Sequence, residues 1–371
     1  MVNLELSWKN LLEHNFVYGI PNFWNGNFVN GKLNDWFSEK DKNNILKGEI
    51  NRFPIKLIKK LPYLKSRSVC TAGIRIEFMT SAQKIEVDLY FPKVGKMNNM
   101  SRTAQCGMDV LVDGKVWTMI CPYEKKFPNK FYLPQDKEKH RITLVFPNYS
   151  PCILKKIKLY NCSEDFPEER NIPFIKNGKP IIYYGSSITQ GGCTSRPSIA
   201  YPYQISETLT TNFINLGISG AGRGEPEMAD YIASFEHSCL FVLDWGSNLL
   251  QPQFKDLLEK RYKPFYEKIH NQNPKIPILF IGFQNYYHEL TDPIAASYIK
   301  SKRKFVEKQV LEICMKKLKD EEKNLFGYID GDSLINLSEL EMTVDGVHPN
   351  DIGHKKYAEI IEWKIIELLS D

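Results

Sequence analysis

A parallel α/β domain preceded by an antiparallel β-sandwich is the fold this sequence predicts, and three observations predict it. Short alternating strands crowd the first half. Continuous apolar strands separated by helical segments fill the second. Between them, near Ser163 to Lys179, lies a stretch rich in Pro, Glu, Asn and Gly. At 371 residues the chain is long enough for two domains. Alternating strands fit sheets with one buried face, and apolar strands between helices fit a parallel sheet covered on both faces.

In the first half, Ile74-Arg75-Ile76-Glu77-Phe78 and Lys84 to Tyr90 alternate. Met108 to Leu111, Lys115 to Cys121, Ile142 to Phe146 and Ile153 to Tyr160 follow, with Asp113-Gly114 as a hairpin signal. This is the pattern of a β-sandwich or jelly-roll. The first sixty residues are irregular and aromatic (Phe16, Tyr18, Phe23, Trp24, Phe28, Trp36, Phe37). Packing onto the sandwich is favoured over sugar stacking.

After Pro167, strands at Ile181–Tyr184, Phe213–Leu216, Leu240–Leu243, Ile278–Ile281 and Phe326–Ile329 alternate with helices. The helices are expected around Ala200–Leu209, Pro226–Ser234, Phe254–His270, Ala295–Lys319 and Asp351–Leu369. The expected domains are 1–165 and 178–371, with 166–177 as linker.

The net charge of +5 is scattered, and short runs such as Lys125-Lys126, Lys155-Lys156 and Lys316-Lys317 read as solvated faces. Nucleic-acid binding has no support. No apolar run reaches the roughly 18 residues of a membrane span. The first residues lack the layout of a signal peptide. The eight Cys (70, 106, 121, 152, 162, 193, 239, 314) have no CxxC spacing and read as reduced thiols of a cytoplasmic protein. A processed secreted chain would look the same.

Sites in open α/β sheets form at the carboxyl ends of strands. Ser187, in Gly185-Ser186-Ser187, follows the first strand of the second half. Gly217-Ile218-Ser219-Gly220 follows the next, and Asp244-Trp245-Gly246-Ser247-Asn248 the third. Asp345-Gly346-Val347-His348 precedes the last helix. Each has an ordinary reading as a turn or cap. An Asp and a His so spaced can also pair through carboxylate and Nδ1, leaving Nε2 to take a serine proton.

Together and in this order, the four blocks resemble the SGNH (GDSL-like) hydrolase superfamily over roughly residues 178 to 369. The resemblance implies a flavodoxin-like, three-layer α/β/α esterase domain. It implies Ser187 as nucleophile, His348 as general base and Asp345 as its orienting carboxylate. The oxyanion hole would be the Ser187 and Gly220 amides with the Asn248 side chain. No metal or other cofactor is implied. Two positions depart from the pattern: Ser186 stands where the family has Asp, and Leu249 where Asp often follows the Asn. Ser186 adjoins Ser187, so a swapped nucleophile has to be considered.

Tyr184 to Gly192 followed by Ser195-Arg196-Pro197 looks like a bacterial subgroup with an N-terminal β-domain carrying a Gly-x-Asp-Leu-Tyr-like motif. Gly107-Met108-Asp109-Val110-Leu111 is a looser version without the Tyr, and Arg52-Phe53-Pro54 resembles a second patch. The resemblance favours a short acyl ester, such as an O-acetyl group on a carbohydrate or small metabolite. An acyltransferase using the same acyl-enzyme, or a non-catalytic carbohydrate-binding protein, are the alternatives. The partner expected is thus an ester substrate, with the oligomeric state open.

Arg196, Arg223 and Trp245 are candidates for lining the pocket. For the arginines, a salt bridge to Glu225 or Glu227 is an equal alternative. Cys193 reads as a buried thiol and His354 as a surface residue, because no third metal ligand stands at suitable spacing.

Overall fold

The computed structural model describes residues 1–24, 26–122, 126–254, 256–318 and 325–370, without the side chains of 126–128, 252 and 313–318. The readings of Lys125-Lys126, Lys316-Lys317, Cys314 and the helix end at Lys319 fall on residues or side chains outside this description. Among the described residues no helix is long and apolar enough to cross a membrane. The chain forms two compact units. The first is Met1–Asn177 with Ser195–Ser198, and the second is Gly178–Thr194 with Ile199–Asp371.

The first unit is built on strands β1 (Val2–Ser7), β2 (Val17–Tyr18), β3 (Phe23–Trp24), β4 (Asn27–Phe28), β5 (Arg75–Thr80) and β6 (Lys84–Tyr90). They continue with β7 (Met108–Val112), β8 (Lys115–Ile120), β9 (Lys126–Tyr132), β10 (His140–Val145) and β11 (Ile153–Cys162). One antiparallel sheet runs β1-β11-β6-β9 and a second β2-β5-β10-β7-β8. Alternate residues of each, among them Val87, Val110, Leu144 and Ile157, are fully buried in one apolar core. Asp113 and Gly114 form the two-residue β7–β8 turn, both at positive φ (53° and 78°), as the hairpin signal requires.

The aromatic lead-in packs as expected: Phe16 and Phe23 belong to that core. β5 departs from the expected alternation, since all six of its residues are buried. Its buried charges are paired, with Arg75 Nε donating to Glu77 Oε1 at 2.8 Å and the Arg170 guanidinium 3.1 Å from Glu77 Oε2. The stretch expected as a linker also packs on this unit. Glu168 bridges to Met79, and the Arg170 guanidinium lies 3.7 Å from the Phe174 ring centroid.

The second unit has a parallel sheet of β12 (Ile181–Gly185), β13 (Phe213–Gly217), β14 (Leu240–Asp244), β15 (Ile278–Ile281) and β16 (Phe326–Ile329). Its order is β13-β12-β14-β15-β16. The helices are α1 (Ser187–Gln190), α2 (Tyr201–Leu209), α3 (Pro226–Ala233), α4 (Leu257–Gln272), α5 (Pro293–Leu318) and α6 (Asp351–Leu369), with shorter turns between. The strand order reverses around β12: β13 lies on one side of it and β14 on the other. That opens a crevice at its carboxyl end, where Ser187 stands.

Candidate active site

Gly185 closes β12, and the chain turns at once into the single-turn helix α1. A Cβ at Gly185 would fall 2.0 Å from Thr189 Oγ1, so only glycine permits so tight a return. Ser186 is the N-cap: its Oγ accepts the Ile188 N–H at 3.2 Å. Ser187 is the first helical residue, and its Oγ lies 2.9 Å from His348 Nε2. Ser186 thus bonds to the backbone while Ser187 faces the imidazole.

His348 and Asp345 share one loop. Asp345 Oδ2 is 2.8 Å from His348 Nδ1, and its Oδ1 accepts the His348 N–H at 2.8 Å and the Val347 N–H at 3.1 Å. A carboxylate held this way keeps the proton on Nδ1 and leaves Nε2 as the acceptor facing Ser187. The loop is tied down by Gln284 Nε2, which donates to the Val347 carbonyl at 2.5 Å, and Gln284 in turn accepts from Tyr357 OH at 2.6 Å.

The other two blocks meet beside α1. Gln190 Oε1 accepts the Ser219 N–H at 2.9 Å, and Asn215 Nδ2 donates to the Thr189 carbonyl at 2.8 Å. Gly220 has φ 68° and is exposed. Among the described residues its N–H has no protein acceptor. Asn248 Oδ1 accepts the Gly222 N–H at 2.9 Å. That partner is a donor, so the amide's own donor Nδ2 is the end left for another group.

The remaining candidates go elsewhere. Trp245 is 3% exposed and packs on Phe265 and Tyr262, with ring centroids 4.7 and 5.4 Å away. It is a core residue, in place of the expected pocket wall. Arg223 donates to the Gly220 carbonyl at 3.0 Å and covers the Phe254 ring, so it braces that loop. Glu225 is met by Arg261, at 3.6 Å. Arg196 belongs to the first unit, where its guanidinium and the Ser198 N–H converge on the fully buried Asp109, at 3.1 and 2.8 Å. Asp109 is the acid of the Gly-x-Asp motif, and this anchoring is what it does.

Two groups in the site escaped the sequence reading. Asp244, at the end of β14 and paired in register with Gly185, is partly buried. Its Oδ2 accepts Thr189 Oγ1 at 2.8 Å and Tyr201 OH at 3.1 Å. Burial raises its pKa to about 7 against the pull of those two hydrogen bonds. An acid closing an otherwise apolar strand was the signal available.

His354, expected at the surface, is fully buried. Its Nε2 donates to the Gly192 carbonyl at 3.0 Å, and its Nδ1 accepts the Tyr201 N–H at 3.4 Å. Burial lowers its pKa to about 4, so it is a neutral brace. The helical face that carries it turns inward, which the residues around Asp351 did not reveal.

Cys193 is buried as expected. Burial and the Asp345 carboxylate push its thiol up to about 12. Its sulfur lies with ligand atoms of Asp345 and His348 in one group within 4.8 Å. These donors suit a thiophilic cation, but two of them are the partners of Ser187 just described.

A family model for GDSL-like lipases/acylhydrolases matches residues 178–366, just over half of the chain. A model for the N-terminus of SGNH-hydrolase-type esterases, named GxDLY, matches residues 31–157. No curated protein matches the chain. A structure described as a GDSL-like lipase from Bacteroides ovatus is similar at 23% identity and TM-score 0.77, covering 99% of this chain and 98% of that one. A salicylyl-acyltransferase from a tetracycline biosynthetic pathway follows at 19% identity and TM-score 0.64, covering 82% and 84%. A family two carbohydrate esterase from Clostridium thermocellum has 13% identity and TM-score 0.56, covering 81% and 94%. At these identities the solved structures speak for the fold, and the matched family model speaks for the family: the chain belongs to the GDSL-like lipases/acylhydrolases.

Proposed function

We propose that this protein is a serine esterase that removes a short acyl group, an O-acetyl ester of a carbohydrate or small metabolite, through an acyl-enzyme on Ser187. The observation that carries this reading is the continuous chain from Ser187 Oγ to His348 Nε2 and from His348 Nδ1 to Asp345 Oδ2, at 2.9 and 2.8 Å. As Ser187 Oγ attacks the ester carbonyl, His348 Nε2 takes its proton. The Ser187 and Gly220 N–H groups and Asn248 Nδ2 then receive the oxyanion. His348 returns the proton to the departing alcohol, and water releases the acid by the same route in reverse. The choice of an acetylated carbohydrate draws on the subgroup resemblance and on fold neighbours that include a carbohydrate esterase.

An acyltransferase would use the same acyl-enzyme, and a fold neighbour is one. The test is intact-mass detection of an acyl adduct on Ser187 after exposure to p-nitrophenyl acetate and to a panel of acetylated sugars and longer esters. Products are then compared with and without an added sugar alcohol. Free acetate in both cases is the outcome expected of an esterase; a transferred acetyl group identifies the transferase. Turnover without an adduct, or undiminished in Ser187→Ala, overturns both.

A further inference from the structure

Away from this site, Cys106 and Cys121 lie side by side in the first unit. Cys106 ends the helical turn Arg102–Cys106 and Cys121 follows β8. β7 and β8 pair with Met108 opposite Ile120. Carried one step further, that register sets Gly107 opposite Cys121 and Cys106 diagonal to it. Both belong to one apolar cluster, Cys106 within it and Cys121 packed against it, and each acts on the other's titration. Cys106 Sγ donates to the Arg102 carbonyl oxygen at 3.1 Å. Arg102 ties the helical turn to the segment after β8, its Nε donating to the Pro122 carbonyl at 2.8 Å. Cys106 is fully buried, whereas Cys121 is half-buried.

We propose that Cys106 and Cys121 are a peroxide-responsive dithiol that closes to an intramolecular disulfide. The environment divides the roles. The Cys106 side chain, then the positive charge of Arg102, hold the Cys121 thiol below the ordinary cysteine range, while Cys121 and burial push the Cys106 thiol up. Cys121 thiolate therefore attacks hydrogen peroxide, breaking the O–O bond to give a sulfenic acid and hydroxide, which takes up a proton to become water. Cys106 then attacks the Cys121 sulfur. The S–S bond forms, the S–O bond breaks, and a second water leaves with the Cys106 proton. Two thiols are oxidised by two electrons and one peroxide is reduced to two waters. Cys152 is fully enclosed and its thiol is held protonated by burial, so it is no competitor. The bridge would clamp the start of β7, the strand whose Asp109 anchors Arg196 and Ser198. None of this rests on the esterase reading.

The test uses the reduced full chain and peroxide enough to oxidise free cysteine completely. Remaining thiols are alkylated under denaturing conditions, and unreduced peptides are mapped by mass spectrometry. The expected result is a Cys106–Cys121 linked peptide, two hydrogens lighter than its parts, with these two sites lost to alkylation. Cys152→Ser should still form it. Cys121→Ser should leave Cys106 alkylatable, and Cys106→Ser should leave Cys121 as a sulfenic acid that dimedone traps. Both thiols staying alkylatable in the wild-type chain, or Cys106 bridging to another cysteine, would overturn the proposal.

Discussion

Thr189 Oγ1 donates to Asp244 Oδ2 at 2.8 Å, and this bond fastens the one-turn helix that carries Ser187 to the end of the neighbouring strand. Tyr201 OH joins the same oxygen, and the backbone of Tyr201 leads on to His354, which holds Gly192 beyond the helix. Helix α1 is too short to be stable alone. Its position therefore depends on a partly buried carboxyl and a buried imidazole on its far side.

Those two groups oppose each other in pH. Asp244 has a folded pKa of about 7 against 3.8 for a free aspartate. Over that window the folded state alone keeps the proton, so its contribution falls as pH rises. His354 has a folded pKa near 4 against 6.5. There the unfolded state alone is protonated, so its contribution rises with pH. Each slope is roughly 1.4 kcal/mol per pH unit, and between about pH 4 and 6.5 they cancel. Relative to wild type, Asp244→Asn should therefore gain stability as pH rises, and His354→Gln should lose it. Denaturant midpoints at several pH values measure both, and parallel profiles for all three proteins would refute the assignment.

Ser187→Ala should lower ester turnover by at least about a thousandfold without unfolding the protein. Asp345→Asn should cost about a thousandfold or more in kcat, because an amide no longer fixes the proton on Nδ1 of His348. Steady-state rates on a p-nitrophenyl ester, with circular dichroism as the folding control, report both.

Asn248 offers a finer test, since its Oδ1 serves the loop through Gly222 and its Nδ2 is the proposed donor. Asn248→Asp keeps the acceptor and loses the donor. It should reduce kcat by about a hundredfold or more while the melting temperature barely moves. If Asn248 only shapes the loop, this variant will retain its rate.

Asp109→Ala should cost about 1–3 kcal/mol of stability. It removes the buried acceptor of the Ser198 N–H and Arg196, whose guanidinium can still reach water. KM for a small ester should stay unchanged in both Asp109→Ala and Arg196→Ala. A raised KM in Arg196→Ala alone would return that arginine to the substrate pocket.

Most strands of both units were legible in the sequence because burial of one face or both leaves a clear apolar pattern. The two long strands that escaped, β1 and β9, are the two edges of the four-stranded sheet. There half of the backbone faces solvent, and charged residues dilute the alternation. In the second unit, three blocks at strand ends and one before the last helix, through the family they resemble, brought together Ser187, Gly220, Asn248, Asp345 and His348 as candidates, since sites in such sheets gather at one edge.

From sequence alone came the architecture, the crevice and the residue types in it, all consequences of local periodicity and of blocks standing at strand ends. Only the tertiary structure could face Ser187 with His348 and Ser186 with the backbone, sink Trp245 into the core, give Arg196 to Asp109, bury His354 and set Asp244 against Thr189 and Tyr201. Each of those outcomes depends on which atom of a distant segment comes within about 3 Å. No pattern along the chain encodes a meeting of that kind, because the partners are brought together by packing rather than by sequence neighbourhood.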